Sequence, residues 1–361
     1  HMAAKTAHMN HVLNYEIPSF RCQDADIERV YYFLQSIYFM LYIFVGKGQE
    51  AYPHTQSAVN NYLGLHNYDA TFQILVGSWA ANKSYYANGN VLLWKGILHS
   101  AREGGMLPDI MGQTWTSGVY GGYTTIMHAV GAWQIYEHTG DVEFLRASYE
   151  DHFEKLFRKR LTNFAMNEFE VAETLARMAS VLGKEADVRH WQSLVRTDPD
   201  HVRLMFDQRW EMNGIEKYFA GPKSGLIGTN SFWAMRSPYF PREYAEQMVQ
   251  HWAIDREKGF FGEFFPLAMS KQSMQEFDTK VDDSFGYTPD TAYFMLDGMF
   301  CQGLSVAPEP TLNHIGNYNW HDEWNIPVAP EAYRRDRTLF GDQYSNFNAG
   351  KILLYLEGLG G

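Results

Sequence analysis

The last third of the chain concentrates residues able to take a proton from water. Between Trp320 and Gly350 lie Glu323 in Trp320-His-Asp-Glu323-Trp324, Glu331 in Pro330-Glu331-Ala-Tyr333, and Asp342 directly after Gly341. A carboxylate held on a fixed loop can act as a general base when its pKa sits near the working pH. Pro330 biases the backbone around it away from helix, and Tyr333 supplies a nearby hydroxyl, so Glu331 is the expected base, ahead of Asp342 and Glu323. Trp324 would then offer a stacking surface beside Glu323. Salt bridges to Arg334, Arg335 or Arg337 are the competing structural role for these carboxylates.

Two earlier stretches carry similar chemistry. The run from Tyr52 to Phe72 contains His54, His66, Tyr68 and Asp69. Asp69 stands where a helix should start, so it either caps that helix or grips sugar hydroxyls between Tyr68 and Phe72 as walls. His54 and His66 are counted with the substrate contacts; they lack the close His/Glu helical spacing of metal motifs, so no metal is expected there. Gly104-Gly-Met-Leu-Pro-Asp109, followed by Trp115 and Tyr120, forms a second loop in which Asp109 braces a turn or contacts a ligand. Tyr287, in Phe285-Gly-Tyr-Thr-Pro289, joins the expected substrate contacts, while Asp290 reads as a cap or first-turn residue. No cofactor motif is present.

Helices must position these loops. Ile27, Val30, Tyr31, Leu34, Ile37, Tyr38 and Leu41 follow Asp24 at three- and four-residue steps and predict a helix over about 25–44. The same periodicity predicts helices near 68–82, 87–101, 123–139, 142–159, 164–183, 185–196, 241–252, 290–303 and 346–357. Tight turns at Thr139-Gly140-Asp141 and Leu182-Gly183-Lys184 alternate with long loops over 46–67, 104–123, 210–232, 259–289 and 305–345. Such alternation suits helical hairpins in a ring, tight turns at one end and a loop-built site at the other. The expected fold is an all-α (α/α) toroid, with Asp69, Asp109, Trp115 and Tyr120 in one cleft. His1-Met2 reads as a tag scar, which makes 1–20 a tag remnant and lead-in and 21–361 one catalytic domain.

Composition removes other classes. With 361 residues, 45% apolar and 20% charged, the chain is globular rather than disordered or fibrous. Ten Trp, 23 Tyr and 24 Phe exceed what a core needs, and the excess suits a surface on which sugar rings stack. A formal charge of −12, with no basic run longer than Arg158-Lys159-Arg160, argues against nucleic acid as a partner. Cys22 and Cys301 are too few and too far apart in sequence for a disulfide framework or a thiolate zinc cluster. The most apolar stretch, Tyr31 to Val45, is interrupted by Gln35 and Ser36 and reads as a buried helix rather than a membrane span.

The chain resembles the mannosylglycerate-hydrolase-like group of six-hairpin glycosidases, related to glycoside hydrolase family 63 and more distantly to trehalases and glucoamylases. The likeness covers most of the chain and rests on Asp24 to Tyr32, Asn67-Tyr-Asp69-Ala-Thr-Phe72, Gly104-Gly-Met-Leu-Pro-Asp109, Trp133 to Leu145 and Ala176 to Lys184. It implies an (α/α)6 toroid and an inverting hydrolase of α-linked sugars, using an acid and a base carboxyl separated by roughly 6.5–9.5 Å. Glu331 falls where these enzymes keep their base, and Asp69 where they keep a substrate-gripping Asp. One departure stands out: the polar loop that carries the family's acid is absent, the chain running Phe157-Arg-Lys-Arg-Leu-Thr-Asn163 straight through. The acid is then expected from Asp109 or Asp69, unless the chain does not hydrolyse by that mechanism.

Two other classes fit the same residues. A polysaccharide lyase would use a Tyr base with Asn, His or Arg neutralising a uronate, and Asn60, Asn61, His54, His66, Tyr120, Asn230 and Arg236 supply those types. A sugar-binding relative that has lost catalysis would show binding with neither the hydrolase nor the lyase product.

Overall fold

A computed structural model describes residues 2–43, 52–59, 65–89, 91–92, 110–111, 128–160, 166–195, 228–261, 266–276, 286–287, 289–316, 320–321, 326–334 and 338–360. Helices dominate these residues, and the strands are short segments in four two-stranded antiparallel ladders. The chain divides into two compact units, one of residues 1–19 and 35–195, the other of 20–34 and 196–361.

In the first unit the expected lead-in carries a helix, Met2–His11, that continues as a π-helical turn, Val12–Glu16. Glu16 fastens it: its carbonyl accepts from the Ala81 N–H at 2.7 Å and its carboxylate from the Asn82 N–H at 2.9 Å. Periodicity located the helices His128–Thr139, Met166–Val181 and Glu185–Val195. The tight turns between them place Gly140 at φ 66° and Gly183 at φ 69°, a left-handed backbone that a residue without Cβ adopts at little cost. Asp141 then caps its helix, accepting from the Phe144 N–H at 2.9 Å.

The helix predicted over 142–159 is broken into Val142–Ser148, a π-helical turn Tyr149–Phe153, and Glu154–Arg160. Tyr149 lies fully buried at that break, its hydroxyl accepting from Trp191 Nε1 at 2.8 Å and donating to Asp187 at 3.0 Å. Asp187 also pairs with Arg158, so the wide turn meets a polar anchor on another helix that local periodicity does not reveal. The helix Ala25–Met40 stops short of the predicted 44 because Tyr42–Ile43 pairs with His54–Thr55 as a ladder.

In the second unit the helix Pro289–Cys301 is the packing centre. A 3-10 helix, Thr229–Arg236, lies against it and begins inside the loop expected over 210–232. Trp233 stacks on Phe294 with ring centroids 3.7 Å apart. Gly298 allows the approach, since a Cβ there would lie 2.9 Å from that of Met235. The helices Lys271–Glu276 and Pro308–Gly316 also fall in stretches read as loops; Pro308 suits a first helical position, yet Pro308-Glu-Pro310 looks like a breaker when read alone. Arg242–Met248 with the π-helical turn Val249–Ala253 matches the predicted 241–252. The chain closes as Asn346–Asn348, Ala349–Leu353 and Leu354–Leu359, where one helix was predicted over 346–357. Tyr355 anchors that end, packing against Phe20 and Tyr31 and donating its hydroxyl to the Ile27 carbonyl at 2.8 Å.

Candidate functional site

The second unit brings Glu331 and Asp342 together through backbone geometry. The ladder Ala332–Tyr333 with Leu339–Phe340 folds the segment after Glu331 back toward Asp342. The Glu331 N–H donates to the Asp342 carbonyl at 2.8 Å, and the Asp342 N–H donates to the Glu331 carboxylate at 3.3 Å. Gly341 makes the second bond possible. Its φ of 72° is left-handed, and a Cβ at this position would fall 1.8 Å from Glu331 Oε2. The carboxylate occupies the space that any other residue would fill.

The two acids differ in exposure. Glu331 is half-buried and keeps contact with solvent, whereas Asp342 is 1% exposed. Arg334, the described member of the arginine group expected to compete for these acids, is exposed and holds its guanidinium over the Phe340 ring at 5.4 Å.

A buried support lies behind this loop. Tyr287 and Tyr333 exchange both backbone hydrogen bonds, at 3.1 and 3.0 Å. The Tyr287 hydroxyl lies 2.9 Å from His314 Nδ1, and the Lys351 ammonium sits 5.5 Å from the centre of its ring. Lys351 projects from the closing helix into the interior, and burial pushes its pKa down from 10.5 to about 7. Tyr287, expected as a substrate contact, is therefore an interior strut: it is fully buried.

In the first unit, Asp69 lies in the first turn of the helix Asn67–Ser78 and is 2% exposed, with Phe72 fully buried one turn on. His54 is also buried, its Nδ1 3.1 Å from the Tyr52 carbonyl. The next residue, Thr55, donates to Gln73 Oε1, and Gln73 Nε2 donates to Ser57 at 3.3 Å. Residues expected to line an open loop thus sit in a polar interior. Their alternation with Gly, Asn and Tyr in the sequence resembled a loop surface, while burial depends on partners remote in sequence. Tyr68 and His66 have described backbone only. Asp109, Trp115, Tyr120, Glu323 and Trp324 lie outside the described residues.

Arg236, a candidate partner for a uronate, is committed elsewhere. It pairs with Asp297, their side chains 10% and 9% exposed, and its guanidinium lies 5.1 Å from the Tyr293 ring centre. Three contributors escaped sequence reading: Gly341 as a seat, Lys351 and Asn348. Lys351 had a usable signal, a lone charge in the apolar run Ala349 to Leu356. Among the described residues no group of three or more His, Cys, Asp or Glu is placed to hold a metal ion, and no helix is long and apolar enough to cross a membrane.

No protein-family model matches this chain, and no curated protein matches it. Solved structures do. The fold is similar to that of a sialidase, with 14% identity and a TM-score of 0.69, over 96% of this chain and 35% of that one. It is also similar to a rhamnosidase from Klebsiella oxytoca with rhamnose bound, with 10% identity and a TM-score of 0.58, over 96% of this chain and 66% of that one. The chain thus spans about a third of the sialidase and about two thirds of the rhamnosidase. At such identities the likeness is one of fold. It is a mostly helical fold found in glycosidases, which meets the resemblance read from the sequence at that coarse level.

Proposed function

We propose that the chain is a glycoside hydrolase domain with an (α/α)6 toroidal architecture, acting by inversion on an α-linked sugar or oligosaccharide, with Glu331 as general base. The observation that carries this reading is the seat of Glu331. Its backbone and carboxylate are both tied to Asp342, at 2.8 and 3.3 Å, over a glycine that leaves room for the carboxylate. A base must hold a water against the anomeric carbon, and misplacement by about 1 Å can cost ~10²-fold in rate. Glu331 combines that fixation with solvent access; its rival Asp342 is buried. In the proposed step the Glu331 carboxylate accepts a proton from water as the water oxygen bonds to the anomeric carbon. A second carboxyl group protonates the departing oxygen.

The kinship of fold with a sialidase and a rhamnosidase supports a carbohydrate substrate over other small molecules. A lyase is less supported, because Arg236, its candidate for neutralising a uronate, is paired with Asp297, and His54 is buried.

The test is turnover on a panel of chromogenic aryl glycosides that includes an α-rhamnoside and a sialoside, comparing the wild type with Glu331→Gln and Asp342→Asn. Glu331→Gln is expected to lose about 10²-fold or more in kcat while retaining binding. Near-normal turnover in Glu331→Gln removes Glu331 from the role. Products from uronate polymers that absorb in the near ultraviolet favour the lyase instead.

A further inference from the structure

The main chain that carries Glu331 sets where its carboxylate lies, and supporting hydrogen bonds hold such a group in place. The peptide unit joining Pro330 to Glu331 has two polar groups. Its N–H is used by the Asp342 carbonyl at 2.8 Å. Its carbonyl, that of Pro330, accepts from Asn348 Nδ2, also at 2.8 Å. Asn348 Nδ2 reaches the Ser345 carbonyl as well, at 3.5 Å, and the Asn348 N–H donates to that same carbonyl at 3.4 Å. One side chain thus ties the start of the Glu331 segment to the segment that follows Asp342.

The mount is rigid. Asn348 is 2% exposed and immediately precedes the helix Ala349–Leu353, every residue of which is buried. Its side-chain Nδ2 makes both contacts, and among the described residues its Oδ1 takes no hydrogen bond. The amide orientation is fixed by its surroundings, since turning it over would set Oδ1 against the Pro330 carbonyl.

We propose that Asn348 is a positioning residue for Glu331, pinning the carbonyl of the peptide that carries it while Asp342 pins the N–H. This inference rests on the reading of Glu331 as the base. Asn348→Asp keeps the shape and presents a carboxylate to two carbonyl oxygens, which pushes the Pro330 carbonyl away and shifts Glu331. Replacing Nδ2 leaves substrate-contacting groups intact, so the loss should fall on the chemical step.

The experiment measures kcat and KM for Asn348→Asp on whichever aryl glycoside of the panel the wild type turns over, with residue-resolved hydrogen exchange of the Glu331 and Ser345 amides. Expected are a fall in kcat of about 10- to 10²-fold, KM within about threefold, and exchange at Glu331 about 10-fold faster or more. Wild-type kcat overturns the proposal, and faster exchange with wild-type kcat does so too, leaving Asn348 a merely structural tie. If Asn348→Asp does not fold, Asn348→Ser, whose hydroxyl is too short to reach the Pro330 carbonyl, is read the same way. Glu331→Gln run in parallel separates the two ideas: full turnover there sinks the base assignment, whereas an inactive Glu331→Gln beside a fully active Asn348→Asp sinks the positioning role alone.

Discussion

Replacing Gly341 by alanine separates the backbone cost of a left-handed turn from the cost of evicting a carboxylate. With φ at 72°, alanine carries the steric penalty of left-handed backbone, about 1–2 kcal/mol. The new Cβ also falls 1.8 Å from Glu331 Oε2, 2.5 Å from Cδ and 2.9 Å from Cβ. Ordinary contact begins at 3.4 Å, so Oε2 must retreat by about 1.6 Å. That retreat breaks its bond from the Asp342 N–H, a loss of about 1 kcal/mol for a half-buried acceptor. The expected destabilisation is about 2–3 kcal/mol, read as a shift in the urea midpoint. The expected fall in kcat is about 10²-fold. Gly140→Ala and Gly183→Ala are matched controls, at φ 66° and 69° with no atom within 4 Å of the added Cβ. They should lose the backbone increment and keep full activity. Gly341→Ala with wild-type kcat and a midpoint shift no larger than theirs would refute the carboxylate-seat argument.

Two further perturbations probe the interior of the second unit. Lys351, its pKa lowered from 10.5 to about 7 by burial, binds a proton more readily unfolded than folded, so stability rises with pH across the window from about 7 to 10.5. Lys351→Met should therefore gain on the order of 4 kcal/mol at pH 7 and abolish that slope in urea midpoints; a slope that persists would show that another group causes it. Arg236→Met strands the Asp297 carboxylate in the interior and should cost about 3–5 kcal/mol. Adding Asp297→Asn should recover part of that loss in thermal denaturation, and equal midpoints for the single and double variants would count against the ion pair.

Much of the helical architecture was determined by the sequence itself. Apolar residues at three- and four-residue steps mark Ala25–Met40, Met166–Val181 and Glu185–Val195, because a helix must bury one stripe wherever it packs. Thr139-Gly140-Asp141 announces its turn because glycine tolerates the left-handed backbone and Asp141 caps the next helix, both within a few residues. The general placement of carboxylates in the loop before the closing helix was equally legible, since it needed only residue types. The chain of contacts around Glu331 was not. In the sequence Gly341 suggests close approach of the Asp342 loop to a sugar; the structure instead puts the carboxylate of a residue ten positions earlier in the space its Cβ would need. Asn348 reads as the start of a helix until its amide is found on the Pro330 carbonyl. Asp69, Phe72 and Tyr287 carry the composition of a sugar site and are buried. Whether an aromatic or acidic side chain faces solvent or the core is decided by which distant segments pack over it, and that information resides in tertiary contacts rather than in local spacing.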